Sequence, residues 1–147
     1  MILLVKIYIM KINYIVLLII CIVIKQLSFS QSLLIKGFFK NTDKKSIQVD
    51  YLLQSNNKVI YKGTDKKIKI ELELNCDYLL ILSKDGFESK SVSFSTYANM
   101  RNDFYFEFEV YLKEDDSFNT SLTAGYAKVF YDTELKSFNY EINKSQH

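Results

Sequence analysis

Histidine and cysteine, the side chains that most often activate a nucleophile or ligate zinc, are scarce here: the 147 residues include one histidine and two cysteines. A hydrolytic triad or a zinc site normally uses histidine, and His147 reads as part of a solvated terminus. Cys76 follows an alternating run that ends at Leu74. With no histidine to activate it, it reads as a turn or buried thiol. Glu114, Asp115 and Asp116, with Asn119 nearby, offer oxygen ligands of the kind calcium takes, but their spacing matches no EF-hand loop and reads as a solvated linker. Glu107 and Glu109 lie two apart, on one face of any strand that holds them, and read as solvent-facing carboxylates rather than an acid/base pair. No catalytic set emerges, so the expectation is a protein that is not an enzyme and uses neither cofactor nor metal.

Aromatic side chains offer more. Tyr105 and Tyr111 fall on the polar face of one strand, six residues and hence about 20 Å apart. Exposed rings at that spacing suit a flat glycan platform, although tyrosine also favours strands for its own reasons. A second group, Phe130, Tyr131, Phe138 and Tyr140, lies in a C-terminal stretch and must be covered by the body of the protein or by a partner.

The elements that would position these residues show in the period-2 pattern. From Lys67 to Leu74, polar and apolar residues alternate without a break, as in a half-buried strand. In DFYFEFEVYLK, Phe104, Phe106, Phe108, Val110 and Leu112 share the inward face, with Phe106 expected at the centre of the core; Tyr105, Glu107, Glu109, Tyr111 and Lys113 share the other. IQVDYLLQ, with Ile47, Val49, Tyr51 and Leu53 inward, and KVIYK from Lys58 to Lys62 are further strands, and DYLLILS, apolar on both faces, is a central one. Turn signals separate them at Asn56-Asn57, Gly63 to Lys66, Asn75 to Asp77 and Asp85-Gly86. In SKDGFESKSVSFST, Asp85-Gly86 predicts a tight hairpin turn, with Val92 and Phe94 inward and Ser91, Ser93 and Ser95 outward. No amphipathic helix of useful length follows residue 31. The tail predicts two short strands, Tyr126 to Tyr131 and Ser137 to Ile142, about a turn at Asp132 to Lys136. A lone hairpin is marginal in water, so docking on the body is the first expectation and partner binding the alternative.

The first thirty residues contain no acid, place Lys6 and Lys11 before an apolar run from Tyr14 to Ile24, and carry Ser28 and Ser30 before Gln31. This is the layout of a secretory signal cleaved before Gln31, with Met10 a second candidate start. The apolar run is short for a membrane span, so no stable span is expected after cleavage; an uncleaved anchor is the alternative. Cys21 lies inside the run behind Ile20, which disfavours lipidation. The segment holds three of the 19 basic residues, leaving 16 against 17 acidic ones and a formal charge of −1. That balance removes the electrostatic case for nucleic-acid binding. One remaining cysteine excludes an internal disulfide, so packing must supply the stability.

The run from Ile35 to Lys113 resembles the carboxypeptidase-regulatory-like (transthyretin-like) β-sandwich of exported Gram-negative proteins. KGFFKNTDKKSIQVDYLL is similar to its opening strand, turn and second strand, and DYLLILSKDGFESKSVSFST to its strand-turn-strand signature. AGYAKVFYDTELKSFNYEI is similar to a segment that follows the domain in stand-alone members. Where relatives often carry proline, this chain has Ser46 before Ile47 and Gly125-Tyr126 before Ala127. The resemblance implies an all-β, antiparallel Greek-key sandwich (prealbumin-like) over 31–113, a linker over 114–125 and a hairpin with tail over 126–147. It also implies a non-catalytic module that works by contact with an envelope protein in the periplasm or at the cell surface.

Overall fold

The computed structural model describes residues 31–98, 103–115 and 125–143. The expected secretory signal, Asp116, Asn119, most of the expected linker and His147 lie outside them. Among the described residues nine strands form two sheets: β1 (Ser32–Asn41), β2 (Val49–Ser55), β3 (Lys58–Asp65), β4 (Lys67–Glu73), β5 (Asp77–Ser83), β6 (Lys90–Ser95), β7 (Phe104–Leu112), β8 (Ala127–Asp132) and β9 (Ser137–Ile142). A three-stranded sheet, β4-β1-β7, is paired with a six-stranded sheet, β3-β2-β5-β6-β8-β9, in an open, sandwich-like all-β arrangement. The chain places one strand in the smaller sheet and then a hairpin in the larger one, three times over. Alternation explains the layering, since inward residues such as Leu33, Ile35 and Phe39 of β1 and Leu80 and Leu82 of β5 are fully buried. The DYLLILS strand lies inside the larger sheet, between β2 and β6, as its two apolar faces require.

The expectation of an antiparallel fold needs correction, because β1 and β7 pair in parallel and so do β6 and β8. Strands joined by a tight turn must run antiparallel. These two pairs are joined instead through excursions into the other sheet, which leaves their relative direction free. Gly63 to Lys66 is also not a turn. β3 continues to Asp65, and only Lys66 separates it from β4 in the opposite sheet. Gly63 is needed mid-strand because the Tyr51 ring lies over it: a Cβ there would sit 2.7 Å from the Tyr51 hydroxyl oxygen.

Asp85-Gly86 makes the expected tight turn, with the Phe87 N–H hydrogen-bonded to the Lys84 carbonyl at 3.0 Å and Gly86 at φ 78°, but the turn sits inside a six-residue connection between β5 and β6. The serines of β6 take the face opposite Val92 and Phe94, as expected, but none is fully exposed. Ser91 is buried, and Ser93 and Ser95 are half-buried. The cause is β8, whose addition makes β6 an interior strand, so that Ser93 sits between Leu79 and Lys128 and Ser95 between Asp77 and Phe130. The tail hairpin forms where expected and continues the larger sheet.

Thr96 organises the turn between β4 and β5. Fully buried, its hydroxyl accepts the Cys76 N–H at 3.0 Å and lies 2.8 Å from the carbonyls of both Glu73 and Cys76. Cys76 is thus a half-buried turn residue. Beside it, burial and then the Cys76 side chain push the Tyr78 hydroxyl up to about 12.

Candidate functional site: the seam between β7 and the C-terminal hairpin

Among the described residues β7 forms one edge of the smaller sheet and has β1 as its one strand partner. Its inward face is as expected, but its burial is graded. Val110 and Leu112 are fully buried, whereas Phe104, Phe106 and Phe108 are only half-buried. Phe106 therefore is not a central core residue, because the hairpin facing this part of β7 stands off from it.

Aromatic rings bridge part of that gap. Phe104 meets Tyr131 and Phe138 edge-on, with centroids 5.5 and 5.2 Å away. Phe106 stacks on Phe108 at 6.1 Å and meets the edge of Tyr140 at 6.4 Å. Phe108 reaches across the sandwich to Phe94 of β6 at 5.6 Å. Its ring is seated by Gly37 of β1, where a Cβ would lie 2.7 Å from the Phe108 ring. Beyond these contacts the seam opens into a groove of about 460 Å³, with Phe106, Phe108, Val129, Tyr126, Tyr140 and Ile142 in its walls. Apolar concavities of this kind accept apolar side chains of a ligand or partner. At its mouth the Lys90 ammonium lies 4.1 Å from the centre of the Tyr126 ring. Burial lowers the Lys90 pKa, with Glu88 opposing it, and raises that of Tyr126.

The outer face of β1 and β7 is a charged lattice. Lys36 Nζ is 3.1 Å from Glu107 Oε2, and Lys40 Nζ is 2.5 Å from Glu109 Oε1. The Tyr105 hydroxyl donates to Glu107, and the Tyr111 hydroxyl donates to Glu109 at 2.5 Å. Glu107 is held below the usual carboxylate range by Tyr105 and then Lys36, and Glu109 by Lys40 and then Tyr111. These are solvated, satisfied carboxylates, and their hydroxyl partners rise in turn.

The expected site residues therefore fall in two places. Tyr105, exposed, and Tyr111, half-buried, lie outside the sandwich with their hydroxyls committed to glutamates. Tyr131, Phe138 and Tyr140 line the inner side of the seam with the β7 phenylalanines. Phe130 belongs to the opposite face of β8 and pairs in register with Ser95 and Asn139. Tyr126 and Ile142 were not singled out in the sequence; their placement depends on the parallel docking of β8, which no local pattern announces. Among the described residues no cluster of three or more His, Cys, Asp or Glu is arranged to hold a metal ion. No helix among them is long and apolar enough to cross a membrane. No family model matches the chain, and no curated protein matches it.

Proposed function

We propose that this chain is an exported, non-catalytic β-sandwich module that acts through protein contact in the bacterial cell envelope, with the β7–hairpin seam as the contact site. The observation that carries this reading is the groove of about 460 Å³ between the half-buried phenylalanines of β7 and the aromatics of the hairpin. Beside it, β7 has one edge without a strand partner among the described residues. An extended partner segment adding to that edge would hydrogen-bond through its backbone and place alternate apolar side chains in the groove. The leader-like N-terminus supports export. The three-strand and larger sheets support the finer likeness to the Greek-key, transthyretin-like family.

A photo-crosslinking residue at Tyr126, introduced in intact cells, tests the reading. The expected result is a discrete adduct with an envelope protein, which disappears when Phe106→Arg fills the groove. An adduct that persists in the Phe106→Arg variant, or equal labelling from Asp50 on the far side of the larger sheet, overturns it. The exposed ring of Tyr105 favours a second reading, glycan binding with Tyr111. Retention on soluble glycans that is lost in a Tyr105→Ala, Tyr111→Ala double variant would establish that reading in place of the first.

A further inference from the structure

The two ends of the six-stranded sheet carry exposed apolar side chains alongside charged ones. Edge strands are ordinarily blunted by charge, proline or bulges, and β4 follows that rule with Lys67, Lys69, Glu71 and Glu73 all exposed. β3 at one end of the larger sheet exposes Val59, Ile60 and Tyr61 between Lys58 and Lys62, and β9 at the other end exposes Tyr140 and Ile142 on either side of Glu141. A register shift opposite Leu53/Gln54 disturbs the first half of β3, but the stretch from Tyr61 to Asp65 is regular.

The directions of these edges are compatible. Through the alternating pairings of the sheet and the parallel β6–β8 step, β3 and β9 run the same way. A second copy displaced sideways therefore brings its β3 beside β9 of the first as a parallel pair. Inner faces also coincide, because Tyr61 lies opposite Leu53, while Tyr140 and Ile142 lie opposite Val129 and Ala127. Aligning Tyr140 with Tyr61 sets Glu141 against Lys62 on the outer face and Ile142 against Gly63 on the inner face, where it would meet the Tyr51 ring that lies over that glycine. Neither Lys62 nor Glu141 makes an ion pair among the described residues. Lys62 borders a shallow hollow with Leu52, Thr64, Ile81 and Asp50, whose carboxylate accepts the Thr64 hydroxyl, beside the place that Glu141 of the second copy would take. A two-fold pairing of β3 with itself about Ile60 would set Lys58 against Lys62, and like charges directly opposite are unfavourable.

From this complementarity we infer that the chain associates with copies of itself head to tail, β9 of one copy pairing with β3 of the next through Glu141 and Lys62. Such a contact uses two different surfaces and does not close on itself, so assembly continues past the dimer. The charge pair lies outside the seam groove, which neither Lys62 nor Glu141 lines, although Tyr140 and Ile142 of the same strand do.

Sedimentation of the protein purified from cells expressing the full chain tests the inference. Its mass is expected to rise with concentration beyond that of two copies. Lys62→Glu and Glu141→Lys should each weaken association about tenfold, since each sets like charges face to face. An equimolar mixture of the two single variants should recover it as an alternating chain, as should a chain carrying both changes. The melting curve of Lys62→Glu should match the parent, whereas Glu141→Lys sets a second lysine opposite Lys128 of β8 and should lower stability slightly, so association is compared at a temperature where both variants are folded. A single-copy mass at all concentrations, growth that stops at two copies, or a mixture as weak as its components overturns the inference. Lys62→Glu, which lies outside the groove, should leave the adduct formed from position 126 intact, so the two readings fail separately.

Discussion

β4 and β7 flank β1 on opposite sides and carry nearly the same alternation, yet one closes its side of the sandwich and the other leaves it ajar. Ile68, Ile70 and Leu72 of β4 are all buried, while Phe104, Phe106 and Phe108 of β7 are not. The connections account for the difference. β4 follows β3 across the single residue Lys66, whose carbonyl accepts the Phe39 N–H at 3.0 Å, so the two layers are drawn together there. Fourteen residues, 113–126, separate β7 from β8 instead of one, so no single-residue link draws the hairpin onto β7. Alternation assigns a face; the opposing layer decides how deeply that face is buried.

The comparison sharpens first by truncation on the closed side. Leu72→Ala is expected to remove about 2–5 kcal/mol of stability, measured by chemical denaturation, because a tightly enclosed site cannot collapse around the void. On the open side, Gly37→Ala is expected to cost about 1–3 kcal/mol by pressing on Phe108, and to change the near-ultraviolet aromatic signal as that ring moves. Thr96→Val tests the closed side again: leaving the Cys76 N–H and the Glu73 carbonyl without their partner should cost about 1–3 kcal/mol by the same measurement. Phe106→Ala should cost about 1–2 kcal/mol, well short of the roughly 3–5 kcal/mol typical of a fully enclosed phenylalanine. A loss as large as that of Leu72→Ala would show the seam to be closed.

The smallest effect concerns the outer face of the open side. Glu107 and Glu109 have folded pKa values below the ordinary 4.5, so the stability they contribute is present above that value and is lost as pH falls through the lower folded one. The raised pKa values of Lys36 and Lys40 act in the opposite sense, with stability present below 10.5 and lost as pH rises further. Both contributions are intact near neutrality. A Glu107→Gln, Glu109→Gln double variant should therefore show a shallower fall in melting temperature below about pH 4.5, and only a small change at pH 7.

How much of this was legible in the sequence depends on how local the cause is. The strict runs in β4 and β7, the doubly apolar β5 and the tail hairpin are set by residues within a few positions of one another, and each formed where the pattern placed it. Asn56 and Asn57 likewise take the positive φ values, 49° and 61°, that their turn requires. Gly63 misled because glycine serves equally for a turn and for making room beneath a ring, and the ring belongs to Tyr51 on the neighbouring strand. The face of the β6 serines was legible but their burial was not, because a strand parallel to β6 arrives from more than thirty residues downstream, as the Ser93–Ala127 contact records with a separation of 34. The candidate site was half legible: its aromatic residues stand out, while the groove between them depends on the spacing of two layers. Thr96 gave no signal, since one threonine among polar neighbours does not reveal that three backbone groups converge on it.

The parallel pairing of β1 with β7 also bears on the order of folding. Lys36 and Glu107, partners across that pair, are 71 positions apart in the chain. β1 can close its sheet on that side only after nearly every other strand has been made, so its ring-closure entropy falls late and the folding rate should belong to the slow, millisecond-to-second class of sandwiches rich in distant pairings. The β8–β9 hairpin, by contrast, can form locally within about 1–10 µs and then wait for β6 to offer its edge. Nascent chains that lack β7 would hold β1 with one flank unmatched, a period in which a chaperone or a neighbouring chain competes for the same backbone groups.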